Sequence, residues 1–186
     1  MPGRVSEPPA RVATGRLVPT LRRAAVLLVV FAAAGVVAGL VWEWIWTPPS
    51  GVVIEHEYLL DGDGLRATFS GTALYVLVGA VAGLLVGVGI AVLTEGAELV
   101  TLAAVAVGSA LAGWLMLLVG TSVDPPDPGP VAETSEDLTE LPDELEVSGW
   151  SPFVAFPSGA LVGLTVVFVG LAGRADGAVG PRTHRR

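Results

Sequence analysis

The chain has 186 residues, a mean hydropathy of +0.69, only 15% charged residues and a formal net charge of −8. Roughly 25% charged residues is usual for a soluble domain, and the absence of cysteine excludes disulfides, thiol nucleophiles and cysteine metal sites. The basic residues are all arginine and lie almost entirely in the two ends, while the larger loops are acidic, which argues against a nucleic-acid partner.

Residues 1–23 hold Pro2, Pro8, Pro9, Pro19 and five arginines with no apolar period. They read as a disordered basic tail. Residues 24–46 are apolar almost throughout and end in Trp42, Trp44 and Trp46, followed by Pro48 and Pro49. Hydrocarbon is about 30 Å thick and a helix rises about 1.5 Å per residue, so this run spans a bilayer with some tilt. The tryptophans fit an interfacial aromatic belt, and the prolines stop the helix. A cleaved signal peptide fits poorly, because the apolar core is too long and lacks a small-residue end.

Residues 50–71 read as a small polar excursion. Val52–Ile54 and Tyr58–Leu60 suggest strand, Asp61-Gly62-Asp63-Gly64 suggests a turn, and Leu65–Phe69 suggests a returning strand, together a β-hairpin. Further spans are expected at 72–93 and 99–120. The five residues between them predict an antiparallel helical hairpin. Residues 121–152 form a long loop that opens with Asp124-Pro125-Pro126-Asp127-Pro128-Gly129-Pro130, a composition suited to a stiff extended segment. All charges from Asp124 to Glu146 are carboxylates, and Leu138, Leu141, Leu145 and Val147 offer apolar points that would pack on the bundle. The last span is expected at 153–172, and residues 174–186 form a second basic tail.

The arginine distribution predicts both tails in the cytoplasm, which places the hairpin and the acidic loop outside it in a cell membrane. Small residues recur at four-residue spacing: Gly35 and Gly39, Gly79, Gly83 and Gly87, Gly108 and Ala112, Gly159 and Gly163. This spacing lets backbones approach closely in lipid. The plain reading is packing within one bundle. The sharper one is a homodimer or membrane-protein partner face on the second helix.

Sites of chemistry are sparse. Phe156-Pro157-Ser158-Gly159-Ala160 resembles the Pro-Ser-Gly-His segment of membrane lipid phosphatases, but Ala160 stands where the histidine is needed. A rhomboid-type protease site fails for want of any histidine in a span. If Glu55, His56 and Glu57 lie on one strand, the glutamates face away from the histidine and the three do not converge on zinc. Asp61-x-Asp63-Gly64 lacks the further ligands of a calcium loop. No cofactor or metal is expected. Glu43 is the one ionisable residue within a predicted span and so a functional candidate. Arg66, the one arginine outside the tails, is expected at a similar depth and is a candidate partner for it.

Gly39-Leu40-Val41-Trp42, then Trp44, Pro48-Pro49 and Gly51-Val52-Val53, come before a polar excursion and a tight pair of helices. Val123-Asp124-Pro125 and a last helix opened by Trp150 and Pro152 follow. This order resembles an actinobacterial family of small four-span membrane proteins catalogued as a domain of unknown function. The resemblance covers roughly residues 23–172 and implies an architecture, with no catalytic residues. The expectation is an all-α, four-helix transmembrane bundle with a small external β-hairpin and an acidic external loop. Its role is expected to be structural or accessory and non-enzymatic; a small transport or ion-pathway component is the alternative.

Overall fold

The computed structural model describes residues 11–60, 62–93, 99–147 and 149–178. The chain runs α1 (Arg11–Ile45), β1 (Ser50–Ile54), β2 (Glu57–Leu59), α2 (Gly62–Leu93), α3 (Leu99–Val123), α4 (Pro128–Ala132), β3 (Glu140–Pro142), a 3₁₀ turn (Ser151–Val154) and α5 (Ala155–Ala178). Four helices are long and apolar enough to cross a membrane, the first of these spans covering Pro19–Ile45 and the second Phe69–Leu93. Their outward faces carry Val29, Leu85, Val107 and Val166, all more than half exposed. Apolar exposure on every helix suits a lipid surround and not water.

Glycine decides which helices meet. On α1, a Cβ at Gly35 would lie 2.4 Å from the Ala112 carbonyl oxygen of α3, and one at Gly39 would lie 2.7 Å from that of Met116. On α2, Cβ atoms at Gly83 and Gly87 would lie 2.2 Å from the carbonyl oxygens of Phe156 and Ala160 on α5. From α5, Gly159 and Gly163 press in the same way on Ala80 and Leu84. Residue numbers rise together along both seams, so α1 with α3 and α2 with α5 are parallel pairs. The bundle is completed by antiparallel contacts of α1 with α2 and of α3 with α5. The expected α2–α3 hairpin packing is corrected: these sequence neighbours lie diagonally and scarcely touch. The linker at 94–98 lies outside the described residues. A short link constrains direction, but close backbone packing selects the neighbour.

Phe31, Trp42, Tyr75, Met116 and Phe156 fill the interior. Trp42 packs edge-on against Tyr75 with centroids 5.1 Å apart, and Phe31 against Phe156 at 6.3 Å. The expected belt of three tryptophans is corrected. Trp44 is 81% exposed, whereas Trp42 and Trp46 are buried. Positions i and i+4 share a helix face, and i+2 points away from it.

Two more expectations change in the same region. Residues 11–23 belong to α1 and are not a disordered tail, despite Pro19 inside the helix. Extending a helix already formed by the span costs far less than starting one. Residues 65–69 are the start of α2 and not a returning strand. Leu, Arg and Ala favour helix, and the same propagation argument applies. Residues 1–10 and 179–186 lie outside the described residues.

Candidate functional site

The end of the bundle where α1 finishes and α2 begins carries a small folded cap. The hairpin pairs β1 with β2 in the register Val52↔Leu59, Val53↔Tyr58 and Ile54↔Glu57. Its two-residue turn is Glu55-His56, with φ of 53° and 66°. Positive φ at both central residues is the type I′ signature that matches strand twist. The turn expected at Asp61–Gly64 lies earlier in the chain, at Glu55-His56, and the strand argument for Glu55, His56 and Glu57 gives way to a turn. Asp61 itself lies outside the described residues.

The acidic loop supplies the third strand. β3 pairs antiparallel with β1 through Ser50↔Pro142, Gly51↔Leu141 and Val52↔Glu140, giving the order β2-β1-β3. Leu138 N–H donates to the Val53 carbonyl at 2.8 Å, Val53 N–H to that of Thr139 at 3.0 Å, and Asp143 N–H to that of Pro49 at 2.8 Å. The proline-rich start of the loop is not extended throughout. Asp127 caps α4 by accepting from Gly129 N–H at 2.8 Å, and Pro128 occupies the first turn, where it lacks no needed donor.

After β3 the chain returns to the bundle. Asp143 is buried, and Leu145, 3% exposed, joins the bundle core beside Trp46. A Cβ at Gly71 would lie 3.2 Å from Trp46 Nε1 and 3.3 Å from Leu145 Cδ1, so this glycine makes room for both. The Leu145 N–H donates to the Asp124 carboxylate at the end of α3. Of the four apolar points expected to pack, Leu145 and Val147 do, Leu141 is half-buried in β3, and Leu138 is 78% exposed.

Between the hairpin and α4 the cap holds an open cleft of about 490 Å³. Glu57, Asp127, Glu133, Asp143 and Glu144 line it, with His56 and Tyr58. Burial pushes the Glu144 carboxyl above its ordinary range, and the negative charges of Asp127, Glu146, Asp143 and Asp124 push the same way. Burial, then the charge of Asp143, raises the Tyr58 phenol to about 12, against a smaller opposing contact with the Gly51 backbone. Among the described residues no three His, Asp or Glu side chains converge as metal ligands. The cleft presents acceptors and negative charge, which suits a cationic group and supplies no zinc or calcium cage.

Glu43 is half-buried on the last turn of α1, within electrostatic reach of Asp124. Arg66 is exposed near the start of α2. Gly83 and Gly87 are consumed by the α5 seam, whereas Gly79 has ordinary contacts, with Met116 Sδ 3.6 Å from a Cβ there. The polar contacts that the sequence did not reveal lie beneath the cap. Trp42 Nε1–H donates to the Gly71 carbonyl at 2.9 Å, and Tyr75 O–H to that of Gly113 at 2.7 Å, tying α1 to α2 and α2 to α3. Trp46 Nε1–H is buried with no acceptor among the described residues. A tyrosine inside a span was the available signal, since its hydroxyl needs a partner in lipid.

No family model matches the chain, and no curated protein or solved structure matches it.

Proposed function

We propose that this chain is a non-enzymatic accessory membrane protein whose bundle serves as a rigid mount for the acidic cap. The cap is its working surface and takes a cationic partner group outside the cytoplasm, with both tails inside. The arginine segregation supports that orientation. The observation that carries the proposal is the junction of two distant segments. The long loop completes the hairpin's sheet through β3 and returns to the core through Leu145. The carboxylates thus line a folded cleft and are not strung along a loose loop.

The bundle interior supports this reading over an ion pathway. Its large buried side chains are aromatic or apolar apart from the hydroxyls of Tyr75 and Ser109, which already donate to the carbonyls of Gly113 and Ala106. A pathway needs polar groups lining the inner faces. Gly83 and Gly87 of α2 pack against α5, which leaves the cap and not this seam for a partner.

Capture from membranes in mild detergent tests the proposal, comparing the parent chain with a Glu57→Gln, Glu133→Gln, Glu144→Gln triple variant. Partners lost from the variant and released by salt support a charged cap interface. Equal capture by both proteins would move the interface to the helices and sink the proposal.

A further inference from the structure

We propose that residues 143–147 form a charge-sprung strap, seated by Leu145 over the groove between the end of α1 and the start of α2 and loosened as Glu144 ionises among its acidic neighbours. Two contacts seat it. Leu145 enters the core beside Trp46 and Gly71, and its N–H donates to the Asp124 carboxylate. Upstream, Asp143 N–H donates to the Pro49 carbonyl. Downstream, Gly149 adopts φ of +83°, a conformation that glycine adopts at little cost.

The charges around the strap oppose its seating. It carries Asp143, Glu144 and Glu146 itself. α1 presents Glu43, the end of α3 presents Asp124, and α4 is preceded by Asp127. The hairpin brings His56 and Glu57 to the same cleft, with Tyr58 beside Asp143. From α2, Arg66 is exposed at this end. Seating therefore gathers carboxylates from four segments around one buried leucine. The cost is electrostatic repulsion and desolvation at Glu144; both fall when Glu144 is protonated, and salt screens the repulsion.

The sign follows from linkage. The Glu144 carboxyl is raised above its ordinary range when the strap is seated, by burial first and then by its acidic neighbours. The seated form thus holds this proton more tightly than the open form. Acid favours seating, and the preference is lost as pH rises through the raised value. An open strap would uncover the Trp46 indole N–H, which is buried with no acceptor among the described residues when the strap is shut.

Hydrogen exchange of the full chain in lipid nanodiscs, read by mass spectrometry and corrected for intrinsic rates, tests it. Protection of 143–147 should fall about two- to fivefold from acid to neutral pH, the scale of a partly exposed charge interaction. Added salt at fixed neutral pH should restore it, and the interior turns of α1 and α3 should stay constant throughout. Glu144→Gln should raise neutral-pH protection by a similar factor and flatten the pH response. Protection of 143–147 that ignores pH and salt, or that changes in step with the whole bundle, would overturn the strap. So would a Glu144→Gln chain with the parent's protection and pH response.

Discussion

The smallest perturbation that tests the bundle is one methyl group on α2. In Gly83→Ala the new Cβ would lie 2.2 Å from the Phe156 carbonyl oxygen and 3.0 Å from the Ala160 nitrogen. Ordinary contact begins at 3.4 Å, so the two backbones must part by more than an ångström. Backbone cannot swing aside as a side chain can, and Gly87, Gly159 and Gly163 lie on the same seam. Alanine favours helix over glycine by about 1 kcal/mol, whereas overpacking a tight core costs about 1–3 kcal/mol. The net expectation is a loss of up to about 2 kcal/mol. Gly89 on the same helix supplies the control, since nothing lies within 4 Å of a Cβ there. Gly89→Ala should be neutral or gain up to about 1 kcal/mol. Unfolding by SDS titration in mild detergent, followed by helical circular dichroism, measures both. Equal stability of the two variants would refute the α2–α5 seam, because only the seam distinguishes the two positions.

Tyr75→Phe should cost about 0.5–1.5 kcal/mol in the same assay, since it removes the hydrogen bond to Gly113 and keeps the ring contacts with Trp42 and Phe153. Impermeant maleimide on intact cells should label Asp63→Cys and Glu140→Cys and spare Ala10→Cys and Gly180→Cys. The reverse pattern would invert the proposed orientation. Glu43→Gln should leave stability at neutral pH unchanged or slightly raised.

The spans were legible because length and apolarity are one-dimensional properties. Glycine spacing marked the contact faces as well. It did not say which helix each face meets, because that depends on two surfaces at once. The short 94–98 link pointed to α2 against α3, and the glycine seams chose otherwise. The hairpin's strands were visible in Val52–Ile54 and Tyr58–Leu59, yet Glu55-His56 is an unusual pair for positive φ and hid the turn. β3 was obscured by Pro142, which is tolerated because this strand lies at the sheet's edge. The acidic run itself was plain. Its convergence on a cleft was not, since this needed β3 and the Leu145 anchor to be placed first.

Glu43 shows how the sign of one coupling tests this corner of the fold. Sequence position made Arg66 its candidate partner, since both were expected at the same depth. The fold gives Glu43 an acidic neighbour, Asp124, whose carboxylate accepts the Leu145 N–H. If that neighbour dominates, removing the Glu43 charge relieves repulsion worth a few tenths to about 0.5 kcal/mol, the scale of a partly screened pair. Asp124→Asn removes the other charge and keeps an amide oxygen to accept the N–H. A double-mutant cycle between Glu43→Gln and Asp124→Asn should therefore return an unfavourable coupling. The matching cycle between Glu43→Gln and Arg66→Gln should return about zero. A favourable Arg66 coupling, together with a loss of stability in Glu43→Gln alone, would make the arginine the principal partner. The cap would then be tied down by an ion pair across α1 and α2, and Asp124 would not be the neighbour that sets the Glu43 coupling.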